Sequence, residues 1–380
     1  MKRIEFIVNS SIDKDEFKKA VCFLSEDINE LHFEENKLIL TFKSEDIDSE
    51  KILCSLRGIE KRYVMPGNTK KEFIFKNDVP REYYDLADES LILKFDDGII
   101  SLQKEGIFLY EYFISEFKRI AHQVEKDCEE KLYPVLLPVQ AYQKTGYIKR
   151  TPQYAMFCCS AYEDLSLLEQ MNNKITNDDL KEVLAEPQYA LSPSACFHTY
   201  LNYQNRILDK KKMVSFTQSV FRNEGRLNFK EFGRLRDYHV REVVMIGDMD
   251  YVEQMREAIL RETIALVKKL NLNGDITCAY DPFILPKMQK YKRIQLNEKS
   301  KYELQLNYGE KKKISVASFN LHGTAFTTPF NIKIKNLDDC VTGCVGFGVE
   351  RWVLAFLSQY GPDTRCWPPI VKEEYKLYED

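Results

Sequence analysis

Apolar and polar positions alternate with a two-residue period in several short stretches of this chain, and between them the apolar spacing changes to the three-to-four period of helices. Near the N-terminus Ile4, Phe6 and Val8 alternate as in a strand. Phe17, Ala20, Val21 and Leu24 then follow helical spacing. Leu31 and Phe33, and after them Leu38, Leu40 and Phe42, alternate on either side of the polar residues 34–37, which predicts a hairpin. A second helix is expected over 46–59. Met65-Pro66-Gly67-Asn68 has the composition of a turn and marks a possible boundary. Residues 1–90 therefore read as a small α/β accessory module, and residues 91–380 as the main domain.

The main domain opens with a long helical pattern from Ile99 to about Lys126, followed by a proline-marked strand over 133–138. Phe108, Leu109, Tyr110, Phe113, Ile114 and Phe117 exceed what one face of that helix needs against a monomer core, so a homodimer is expected. Beyond residue 210 the segments 214–224, 238–248, 301–308 and 312–322 read as strands. Residues 249–270 read as a helix with Asp248 or Asp250 near its start. Strand-rich stretches separated by single helices predict an α+β fold: a mainly antiparallel sheet flanked by helices.

The 380 residues allow one large domain and a small one, with 44% hydrophobic and 30% charged residues, the balance of an ordinary globular protein. A net charge of −4 supplies no global field toward nucleic acid. Ten cysteines are scattered without a CxxC pair; no signal core or membrane-length apolar run is seen. The expected setting is cytoplasmic and reducing, with no membrane partner.

Chemistry concentrates in two segments. Phe221-Arg222-Asn223-Glu224, then a loop, then Arg234 to Glu242, ends one predicted strand and enters the next. Gly343-Cys344-Val345-Gly346-Phe347-Gly348-Val349-Glu350-Arg351 is a glycine-rich strand leading into a helix. An arginine fork grips phosphate bidentately and stabilises charge that grows in a transition state. The absence of GKS/T excludes a P-loop. In this order, the two segments resemble motifs 2 and 3 of class II aminoacyl-tRNA synthetases. The long helix and strand before them resemble motif 1.

The resemblance covers about residues 100–365 and implies a class II synthetase-like antiparallel sheet that binds ATP with Mg²⁺ and forms an aminoacyl-adenylate. Arg222 and Arg351 would then be catalytic. Glu224 would accept from the adenine amino group, Arg234 would hold pyrophosphate, Tyr238 would stack on adenine, and Glu303 would complete the ATP site. Asn320, in Ser318-Phe319-Asn320-Leu321-His322, would face the amino acid. Cys196, Glu242 and Cys344 resemble the zinc ligands of the archaeal-type seryl-tRNA synthetases and of the amino acid:[carrier protein] ligases. Two thiolates and a carboxylate suit Zn²⁺ and leave a fourth position for a substrate amine. Cys158 and Cys159 lie in an apolar run and read as core, and His198, His239 and His322 read as polar neighbours. Length, acidity and the lack of a long helical tRNA-binding arm favour transfer of a small amino acid to the phosphopantetheine thiol of a carrier protein. The alternatives are charging of tRNA, seryl-like, and a non-catalytic paralogue.

Overall fold

The computed structural model describes residues 2–63, 73–86, 90–176 and 179–379; the expected turn at 65–68 lies outside them. The first strand, Arg3–Ile7, pairs antiparallel with Lys37–Phe42, which pairs antiparallel with Ile28–Glu34. The helices Lys14–Val21 and Ser49–Tyr63 cover one side of this small sheet, and Ile4, Phe6, Phe17, Val21, Leu38, Leu40 and Leu56 form its core. Glu35 closes the hairpin in the left-handed region at φ 49.

Among the described residues the main sheet has eight strands. In spatial order they are Phe73–Asn77, Gly274–Cys278, Lys301–Gly309, Lys312–Gly323, Val341–Gly348, Asp237–Gly247, Lys212–Phe221 and Glu129–Glu130. All neighbours are antiparallel except the last pair. The antiparallel sheet flanked by helices expected from the pattern is thus the fold observed. The edge strand Phe73–Asn77 belongs to this sheet although it precedes residue 90, and the small N-terminal sheet with its two helices ends at Tyr63.

Helices Glu105–Val124, Met249–Lys269 and Val349–Tyr360 cover one face. Asp248 caps the second by accepting from the Tyr251 amide at 2.8 Å. Strand alternation decides which side chains meet them. Val243, Met245, Val345 and Phe347 point into this layer, where Phe117 stacks on Phe347 at 4.3 Å and lies 5.1 Å from Trp352. The intervening positions Tyr238, Val240, Glu242, Cys344, Gly346 and Gly348 face the other way, toward the site.

Two expectations need correction. The helix begins at Glu105, because Gly98, at φ 79, turns a hairpin in which Ile99–Leu102 pairs with Ile92–Asp96. The β-branched Ile99 and Ile100 suit that strand. Of the six large side chains counted on the helix, Phe108, Leu109, Phe113 and Phe117 are buried in the layer with Trp352, Phe356 and Trp367, while Tyr110 and Ile114 are half-buried. Cys158 and Cys159 are also not core; the first is half-buried at the end of the short strand Met156–Cys158 and the second exposed. No helix of the described residues is long and apolar enough to cross a membrane.

Candidate active site

On the sheet face opposite the three helices lies a cavity of about 1210 Å³. All ten residues singled out from the sequence line it: Cys196, Arg222, Glu224, Arg234, Tyr238, Glu242, Glu303, Asn320, Cys344 and Arg351. Glu224 and Arg351 are withdrawn from solvent, at 6% and 8% exposed.

One end is rich in guanidinium groups. Arg222 leaves the end of the Lys212–Phe221 strand, where its Nε donates to the Pro193 carbonyl at 2.9 Å. The guanidinium lies over the rings of Tyr154, at 5.3 Å, and Tyr238, at 5.8 Å. Arg234 Nη1 donates to Glu224 Oε2 at 2.7 Å, and Arg351 Nη2 stands 3.8 Å from Glu224 Oε1. Burial opposes ionisation of Glu224, but Arg234, Arg351 and Arg222 hold its carboxyl below the usual range. Three guanidinium groups against two carboxylates, Glu224 within the cluster and Glu231 beside Arg234, leave an excess of positive charge. Arg351 Nε and Nη2 are buried without a hydrogen-bond partner, a costly state that an anion in the cavity relieves. Tyr238 is 4% exposed and Arg351 already covers its ring at 4.5 Å. A flat base stacking on Tyr238 must therefore share or displace Arg351.

Glu303 is engaged within the chain. Lys301 Nζ lies 3.0 Å from one of its oxygens, and Ser315 Oγ donates to the other at 2.6 Å. Lys301 also holds Asp281 at 2.8 Å, and against the effect of burial this ammonium keeps the Asp281 carboxyl down to about 2. Any cation or nucleotide contact from Glu303 competes with Lys301.

The other end carries the sulfur atoms. Cys196 opens the helix Phe197–Asn202 after the turn Ser192-Pro193-Ser194, which the Phe221 amide pins to the neighbouring strand by donating to Ser192 O at 2.9 Å. Cys344 pairs across with Val244 on one side and Asn320 on the other, which sets Glu242 diagonally beside it. The ligand atoms of Cys196, Glu242 and Cys344 lie within 4.8 Å of one another, and all three residues are buried. Burial opposes the Cys196 thiolate, but hydrogen bonds from Cys344, Ser194 and Tyr200 lower its pKa. Its hydrogen bond to Cys196, together with burial, pushes the Cys344 thiol up. Burial and the charge of Cys196 raise the Glu242 carboxyl. Without a cation the cluster holds its acidic groups with little room for more than one negative charge; a dication reverses that balance. Two soft sulfurs and one oxygen fit zinc. Gly346 is part of this arrangement, since a Cβ there would lie 2.7 Å from Glu242 Oε2.

Three histidines are held by partners within the chain. His322 Nδ1 is 3.3 Å from both Tyr200 OH and Thr342 Oγ1, its Nε2 is 3.7 Å from Cys344 Sγ, and burial takes its pKa down to about 4. It is a neutral neighbour of the thiol. His198 bonds the Leu136 carbonyl, and His239 faces the helical layer and bonds Glu350 at 2.7 Å. Asn320 directs its amide toward Ser318 Oγ at 3.2 Å and Cys344 Sγ at 3.6 Å. Sequence reasoning missed Tyr154 under Arg222, and it missed Asp13, Asp15, Glu16 and Lys19 of the N-terminal unit at the cavity's edge.

Sheet, helices and paired motifs define the catalytic core of a class II synthetase. The model of the tRNA synthetase class II core domain (G, H, P, S and T) matches residues 156–360, and the chain belongs to this family. The chain is 30% identical over 262 residues to a type-2 serine–tRNA ligase of Methanocaldococcus jannaschii, a match covering 65% of this chain and 50% of that protein. It is 30% identical over 260 residues to the type-2 serine–tRNA ligase of Methanococcus aeolicus, with the same coverage. It thus spans half the length of these relatives. Among solved structures, the fold resembles M. kandleri SerRS in complex with A. aeolicus tRNASec, with a TM-score of 0.70 at 22% identity over 99% of this chain and 77% of that one. Seryl-tRNA synthetase from Pyrococcus horikoshii complexed with ATP gives 0.53 at 14% identity, over 73% and 57%.

These findings overturn the carrier-protein acceptor expected from length and acidity. The matched relatives are serine–tRNA ligases, and the solved structure with the higher of these two TM-scores holds a tRNA. Net charge is an average over the whole surface and says little about a local RNA-binding face.

Proposed function

We propose that this chain activates a small amino acid, serine foremost, with ATP and transfers it to the 3′ end of a tRNA. The observation that carries this reading is a single cavity with converging guanidinium groups at one end and two thiols and a carboxylate at the other. Relatives that are type-2 serine–tRNA ligases support the choice of serine and of tRNA. Ser194, Ser318 and Asn320 add polar groups around the sulfur end, which suits a small hydroxylated side chain.

In the first step the amino acid's carboxylate attacks the α-phosphorus of ATP, and the bond to pyrophosphate breaks. No general base is needed, because the carboxylate is already a nucleophile. Arg222 steadies the charge that grows on the α-phosphoryl oxygens, while Arg351 and Arg234 hold the remaining phosphates, with Mg²⁺ accompanying them as it does in other nucleotide reactions. Cys196, Glu242 and Cys344 would hold zinc, which supplies a Lewis-acidic position for the substrate's α-amine. In the second step a ribose hydroxyl of the tRNA attacks the activated carbonyl and AMP departs.

Gly346→Ala tests the ligand set. The added methyl group drives the Glu242 carboxylate from its place beside the thiols, and zinc affinity is expected to fall about 10- to 100-fold in competition with a chelator. Unchanged affinity would remove Glu242 from the ligands. The acceptor is tested by incubating the protein with labelled serine, ATP and total tRNA. Label is expected on the RNA 3′ end through a base-labile ester. Adenylate formed in quantity with no label on any tRNA would contradict the proposed acceptor.

A further inference from the structure

The N-terminal unit touches the site through the loop that joins the strands Lys212–Phe221 and Asp237–Gly247. Leu227 of that loop is buried in the N-terminal unit's own hydrophobic core, beside residues such as Phe17 and Val21. Arg226 donates to the Ile28 carbonyl. Cys22 Sγ donates to Asn228 Oδ1 at 3.3 Å, and Asn228 Nδ2 in turn donates to the Glu224 carbonyl at 2.6 Å. Phe23 packs so closely on Gly225 that a Cβ there would meet its ring at 2.9 Å. Lys292, beyond the loop, bonds Glu16 at 3.0 Å. The loop that carries Glu224 and Arg234 is therefore held on its outer side by the N-terminal unit.

One chain of charges reaches from this dock into the cavity. Lys18 Nζ lies 2.8 Å from Glu231 Oε1. The other oxygen, Glu231 Oε2, stands 3.5 Å from Arg234 Nε, and Arg234 Nη1 is bonded to Glu224 at 2.7 Å. Glu231 is thus shared between a lysine outside the site and the arginine inside it.

We propose that Lys18 is a positioning residue for the nucleotide site: by neutralising Glu231 it keeps that carboxylate from drawing Arg234 off the phosphates. This rests on the adenylation reading, in which Arg234 grips the leaving pyrophosphate. With Lys18 removed, Glu231 keeps its negative charge and has Arg234 as its nearest cation. The guanidinium then turns toward the loop, and phosphate binding weakens. Burial works against the Glu231 carboxylate, yet Lys18 and Arg234 together hold it below its ordinary range, in keeping with a charge that both cations share.

The test is ATP affinity by titration calorimetry on the full chain, with ATP–pyrophosphate exchange run alongside. Lys18→Ala is expected to weaken ATP binding about five- to tenfold. The melting temperature should stay close to that of the wild type, because the pair is partly exposed. Lys18→Arg, which keeps the charge, should bind ATP nearly as the wild type does. The deciding variant is Lys18→Ala combined with Glu231→Gln: with the competing carboxylate gone, ATP affinity should recover. A merely structural contact would not recover when its second partner is also removed. Unchanged affinity in Lys18→Ala, or no recovery in the double variant, overturns the proposal. A wild type that binds ATP and exchanges pyrophosphate alongside an unaltered Lys18→Ala overturns the positioning role alone. A wild type that binds no ATP overturns the adenylation reading and the positioning role together.

Discussion

Arg222→Ala is expected to lower amino-acid-dependent ATP–pyrophosphate exchange by at least about a hundredfold, the scale on which one transition-state donor acts, about 2.7–4 kcal/mol. The guanidinium is fixed before substrate arrives: its Nε is spent on the Pro193 carbonyl, and Tyr154 and Tyr238 lie on its faces. A donor so held needs little reorganisation as charge develops on the phosphoryl group. The same burial gives the substitution a second cost. The Pro193 carbonyl loses its partner, and about 1–3 kcal/mol of stability goes with an unsatisfied buried acceptor. The measurement must therefore pair exchange rates with a denaturation midpoint. A folded variant with near-normal exchange would place the ATP site elsewhere.

The second large effect concerns metal. The purified protein should carry about one zinc ion per chain by elemental analysis, and Cys196→Ala or Cys344→Ala should lose it. Each substitution removes a thiolate whose charge offsets the ion and leaves two ligands, too few for a tetrahedral site that keeps one position open. Because the donors come from a helix start and two neighbouring strands, loss of the metal should also loosen the joint between the Phe197–Asn202 helix and the sheet. Loss is thus expected in the metal content and in the melting temperature together. Freshly purified wild type without zinc would rule out the ligand set.

Much of this was legible in the sequence because it depends on local strings. Strand alternation through Tyr238, Val240 and Glu242 puts those side chains on one face, and the glycines at 343, 346 and 348 mark the adjoining strand. Arginine and glutamate at the end of a predicted strand are costly to bury without a purpose, so they stood out as chemistry. What stayed hidden depends on distance in sequence. Lys18 and Glu231, or Lys292 and Glu16, are ordinary surface residue types more than 200 positions apart, and nothing local announces their pairing. Leu227 resembles any loop leucine until it is seen to enter another unit's core. The helix aromatics are a related case: their number was clear, but the partners that bury Phe108 and Phe113, namely Trp352, Phe356 and Trp367, come from the far end of the chain. The acceptor could not be read from net charge, which does not resolve where on the surface the charge lies.

The most direct test of the central claim is ATP–pyrophosphate exchange measured across the twenty amino acids with the zinc-loaded protein. Exchange should depend on an added amino acid, with serine first and glycine and alanine the nearest competitors, because the substrate must fit between the sulfur cluster and the strand carrying Ser318 and Asn320. Absence of exchange with every amino acid, or a preference for a bulky one such as tryptophan or arginine, would contradict the account.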